Sequence, residues 1–110
     1  MTREPAFVFS ALVLMAATHA AVSQESGDAR AGYAFARQVC SECHAVQKGQ
    51  LTSPHSRAPS FTTVANTPGM SEMTLRVWFQ SPHPSMPNLD LTEQKGDDLI
   101  AYILSLKTRK

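Results

Sequence analysis

Gln38-Val39-Cys40-Ser41-Glu42-Cys43-His44-Ala45, QVCSECHA, holds both cysteines of a 110-residue chain. Two residues separate the thiols, and an imidazole follows the second. Four chemistries use such a pair. Thiol–disulfide exchange uses C-x-x-C, usually beside a βαβ pattern, and no strand pattern is visible. Structural zinc typically takes four ligands, and beyond His44 only His55 and His83 lie outside the N-terminal stretch. A disulfide across so short a loop gains little by closure. Covalent haem attachment has C-x-x-C-H as its signature, and it accounts for every residue. Each thiol adds to one vinyl group, and a helical-turn spacing matches two vinyl positions. The next residue, His44, then presents its imidazole to the iron.

Working outward, the motif ends a helical pattern. Asp28 is an N-cap candidate, and Gly32, Phe35, Ala36, Val39 and Cys43 recur on one face. Residues 47–60 are rich in Gly, Pro and Ser and read as loop. A second helix is expected over Ser71–Gln80, opened by Ser71-x-x-Thr74, with Leu75, Trp78 and Phe79 on one face. Pro82, Pro84 and Pro87 then exclude regular structure. Thr92 caps a last helix, with Glu93 in its first turn and Leu99, Tyr102, Ile103 and Leu106 as its apolar face, Ile100 beside it. The fold class is therefore all-α, three main helices joined by long loops. Loops that long in a small domain need something to fill the space between them, and a large apolar cofactor would do so. Gly32 inside a helix costs about 0.5–1 kcal/mol relative to alanine, which makes sense where another backbone crosses, here the last helix near Leu99 and Tyr102.

The N-terminus has the order of a secretory signal: a short first region, the apolar run AFVFSALVLMAA from Ala6 to Ala17, then small residues. Cleavage is expected after Ala20 or Ser23, so residues 1–23 form the leader and 24–110 one small domain. The apolar run is shorter than the roughly 20 residues of a spanning helix, so no stable membrane insertion is expected after cleavage. A net charge of +1 gives no argument for nucleic acid. No acid/base dyad, nucleophile triad or phosphate loop is present, and no enzyme activity is expected.

Met86 is the sixth-ligand candidate. It lies between Ser85 and Pro87, outside any helical apolar face, where a core role suits it badly. His83, Met70 and Met73 are its rivals. A thioether opposite an imidazole raises the potential of a haem iron.

From about Asp28 to Lys107 the chain resembles the small bacterial class I cytochromes c. GYAFARQVCSECHAV is similar to the family's first helix and attachment site, and APSF (Ala58–Phe61) to the loop whose proline carbonyl accepts from the proximal histidine. LRVWFQSPHPSMP (Leu75–Pro87) resembles the helix and loop that deliver the axial methionine, and DDLIAYILSLK (Asp97–Lys107) the last helix. The stretch from Pro82 to Met86 is shorter than in the mitochondrial proteins, and the tryptophan that bonds a haem propionate there has no clear counterpart. The resemblance implies a fold of crossing first and last helices wrapped around one haem c, held covalently by Cys40 and Cys43. It implies iron ligation by His44 and Met86, a Pro59 carbonyl behind His44, and Trp78 facing the haem. The implied function is an exported, periplasmic single-electron carrier whose partners are donor and acceptor redox proteins. The alternatives are a haem-based gas sensor from which Met86 dissociates, and a dedicated cytochrome subunit of a periplasmic oxidoreductase.

Overall fold

The computed structural model describes residues 2–6, 13–18 and 27–108. About half of the expected leader lies outside these residues. Its described residues Val13, Leu14 and Met15 are exposed and take no part in the core. Among the described residues no helix is long and apolar enough to cross a membrane. The chain as a whole is extended, 100 × 31 × 24 Å. Within it, α1 (Ala29–Val39), α2 (Phe61–Ala65), α3 (Glu72–Gln80) and α4 (Glu93–Ser105) pack around one core, with no strand among the described residues.

Each helix starts where a side-chain oxygen satisfies the free N–H groups of its first turn. Asp28 accepts from the amides of Arg30 and Ala31, Ser60 from Thr63, Ser71 from Thr74 and Thr92 from Lys95. Three of these caps match the sequence expectation. α2 is the addition, making four helices where three were expected. Its sequence FTTVA is rich in β-branched residues of modest helix propensity. Local hydroxyl bonding and burial of Phe61 and Ala65 hold it instead.

α1 and α4 cross in backbone contact, as the position of Gly32 predicts. A Cβ on Gly32 would stand 1.9 Å from the Asp98 carbonyl oxygen and 2.8 Å from the Tyr102 Cβ. Gly27, just before α1, meets the Asp97 carbonyl in the same way, at 2.1 Å. The Asp98 carboxylate accepts from the Asp28 amide at 2.8 Å, tying the start of α1 to α4. Below the crossing, Ala36, Leu99 and Ile103 are almost wholly buried, with Phe61, Leu75, Ile100 and Leu106 around them. Arg76 of α3 bonds Asp97 of α4 at 2.7 Å, and Asn66 after α2 donates to the Leu106 carbonyl at 3.2 Å.

The first helix stops earlier than expected. Cys40 is its C-cap, and its N–H still reaches the Ala36 carbonyl. The Ser41 amide turns to that same carbonyl, and the ladder ends. Cys43 therefore lies in a turn beyond the helix and is exposed, and Val39 is 43 % exposed rather than packed.

Candidate functional site

The turn after α1 keeps its two thiols one turn apart, because the amides of Cys43 and His44 both bond the Cys40 carbonyl, at 3.2 and 2.9 Å. Both cysteines are free thiols. Burial pushes the Cys40 thiol up to about 11, so it stays protonated at neutral pH. It also sits at the C-terminal, negative end of α1, whereas low-pKa thiols lie at helix N-termini or near cations. This environment opposes thiolate exchange chemistry at Cys40. Nor do three His, Cys, Asp or Glu side chains converge as a metal site among the described residues, so the zinc reading gains nothing.

The loop after the motif is fastened back onto it. The His55 amide bonds the Cys43 carbonyl at 3.1 Å, and the Phe61 amide bonds the Ala45 carbonyl at 2.9 Å. The Ala45 amide donates to the Ser53 hydroxyl at 3.0 Å. This brings the Pro59 carbonyl to 2.7 Å from His44 Nδ1. A carbonyl oxygen can only accept, so Nδ1 carries a proton, and in the neutral ring Nε2 keeps its lone pair. Backing of this kind orients an imidazole and strengthens it as a metal donor. The His44 ring also lies 5.3 Å from the Phe61 ring, which fixes its second side. Phe61 in turn contacts Tyr102, whose hydroxyl donates to the Val46 carbonyl, so the site is continuous with the core.

A second group forms after α3. His83 and Met86 pair across a tight turn in an isolated antiparallel bridge. Pro84 takes the corner where a fixed φ is favoured. Met86 is half-buried. Trp78 is 54 % exposed and stacks on His83, ring centroids 4.4 Å apart and planes 15° from parallel. The structure thus assembles the predicted site residues in two sets: Cys40, Cys43, His44 and Pro59 in one, Met86 and Trp78 in the other. No hydrogen bond or ring contact joins the sets among the described residues. Two residues absent from the sequence prediction belong with them. Ser53 anchors the loop behind His44, and its signal was only a serine in a polar loop. Phe61 packs on the imidazole, and its signal was its place directly after the Pro59-Ser60 pair.

In donor chemistry, though not in a shared cavity, these residue types are ones a haem could use. The donor set is an imidazole nitrogen of fixed tautomer and a thioether sulfur, with two unpaired thiols beside the former. Leu51, Met73, Val77 and Trp78 are large apolar side chains more than half exposed. A cavity of about 670 Å³ between α3, α4 and the loop after α3 is lined in part by Phe79, Pro82, Leu91 and Ile100. It does not reach Cys40, Cys43, His44 or Met86.

No family model, curated protein or solved structure matches this chain.

Proposed function

We propose that the protein is an exported monohaem c-type cytochrome carrying single electrons between redox proteins. The observation behind this reading is the bond from His44 Nδ1 to the Pro59 carbonyl directly beside the paired thiols. It leaves one imidazole nitrogen free and orients it, as a permanent axial ligand requires. A haem held here supplies a one-electron ferric–ferrous couple. Cys40 and Cys43 would hold the group through thioethers, each S–H adding across one vinyl double bond with no oxidant needed. His44 Nε2 and the Met86 sulfur would be the iron donors. Pro82, Pro84 and Pro87 restrict the loop that carries Met86. The exposed Val13–Met15 segment suits a leader removed on export to the periplasm. Partner proteins on either side of the couple complete the role, either met by diffusion or fixed in an oxidoreductase complex.

Acid–organic extraction tests the reading. The expected result is haem that stays on the chain, two thioethers in the wild type and one in Cys40→Ala. Haem that extracts freely from the wild type would rule the proposal out.

A further inference from the structure

The turn that carries Met86 carries a second competent donor. Residues paired across an antiparallel bridge place their side chains on the same face of the ribbon. His83 and Met86 are such a pair, so an imidazole and a thioether stand side by side. Imidazole is a good iron ligand, and a free His83 would compete with the sulfur. Only Pro84 and Ser85 separate the two, so whatever Met86 can reach lies close to His83 as well.

His83 is not free. Its ring lies flat on the Trp78 indole at 4.4 Å. Trp78 is 54 % exposed, so filling the core does not explain an indole at this position. The ring is also carried on rigid α3, two residues before the helix ends at Gln80. The Ser81 hydroxyl bonds the Val77 carbonyl at 2.7 Å and fixes the exit of the chain from that helix. The stack is therefore held from both sides, by the helix and by the proline-bounded turn.

We propose that Trp78 is a positioning residue. By stacking on His83 it holds that imidazole aside and assigns the distal iron position to Met86. The proposal rests on the haem reading above. Trp78 acts through His83, and its removal releases the competing ligand rather than loosening the fold.

The test uses the haem-loaded protein and reads the sulfur-to-iron charge-transfer absorption of the ferric form together with the reduction potential. Trp78→Ala is expected to lose that absorption and to lower the potential, as imidazole replaces thioether. Trp78→Phe keeps a stacking ring and should retain both. The double variant Trp78→Ala, His83→Ala has no competing imidazole and should regain both. If Trp78→Ala does not mature, Trp78→Leu preserves apolar bulk without the ring, and the same loss is expected. Persistence of the sulfur signature in Trp78→Ala or Trp78→Leu would overturn the proposal. So would its absence from the double variant, since Trp78 would then be supporting the loop and not restraining His83. Single His83→Ala should leave the sulfur signature unchanged, and its loss there would also refute the idea. Wild-type protein without covalent haem is a separate failure, that of the functional reading itself.

Discussion

Replacing Gly32 with alanine should destabilise the protein, although the same change in an open helix stabilises it. Alanine in a helix interior is worth about 0.5–1 kcal/mol over glycine. At Gly32 the added methyl would lie 1.9 Å from the Asp98 carbonyl oxygen, where an ordinary contact begins at 3.4 Å. The difference is about 1.5 Å, and the obstacle is backbone on a packed helix, which cannot swing aside. α1 and α4 must part, and the contacts of Ala36, Leu99 and Ile103 beneath them stretch. A gap of 0.5–1 Å already forfeits a quarter to a half of each dispersion well. Overpacking of this kind costs about 1–3 kcal/mol, occasionally more. With the propensity gain subtracted, we expect a net loss of about 1 kcal/mol, a fall in Tm of roughly 4–8 °C for a domain this size. Gly96 provides the control. It lies in α4, and a Cβ added there would have nothing within 4 Å, so Gly96→Ala should gain about 0.5–1 kcal/mol. Thermal unfolding of both variants, followed by helical circular dichroism, reads the two signs directly. A Gly32→Ala protein as stable as Gly96→Ala would refute the backbone crossing.

Tyr102→Phe removes the hydroxyl that donates to the Val46 carbonyl in the core. Leaving that acceptor unpaired should cost about 1–3 kcal/mol by denaturant titration. If Met86 holds the iron of a bound haem, ferrous wild-type protein should bind carbon monoxide poorly at neutral pH and Met86→Ala should bind it readily. Rapid stoichiometric binding by the wild type would favour a gas sensor over a carrier. Chain that has never received haem should be largely unfolded, because few large side chains are fully buried and several apolar ones are exposed. Cys40 and Cys43 should then alkylate at similar rates, and a strongly protected Cys40 would show that the protein core suffices without the cofactor.

Helix starts were legible because each depends on one side-chain oxygen at a fixed offset. Asp28, Ser71 and Thr92 could be read as caps with no knowledge of the fold. The α4 face was legible for a similar reason, since Leu99, Tyr102, Ile103 and Leu106 follow the helical period closely and all are buried. Gly32 could be read because a glycine in a strong helix needs a cause. The resemblance to cytochromes c suggested the Pro59 carbonyl, and His44 Nδ1 lies 2.7 Å from it. The short α2 carried no usable period, and its stability comes from tertiary burial. The end of α1 was misplaced because periodicity continued through Cys43 while the hydrogen bonding did not. Trp78 shared a helical face with Leu75 on paper, but Leu75 is buried while the indole is largely exposed and meets a residue in the following loop. No local pattern encodes that choice.

The tie between the Asp28 amide and Asp98 spans 70 residues. Closing a loop of that length costs about 4 kcal/mol of chain entropy beyond a constant, and folds dominated by such distant contacts form slowly. The groove that receives α4 is built on α1, so the first segment of this domain to leave the ribosome waits for nearly the last before it can pack. Until then the nascent chain has no closed core and stays pliable.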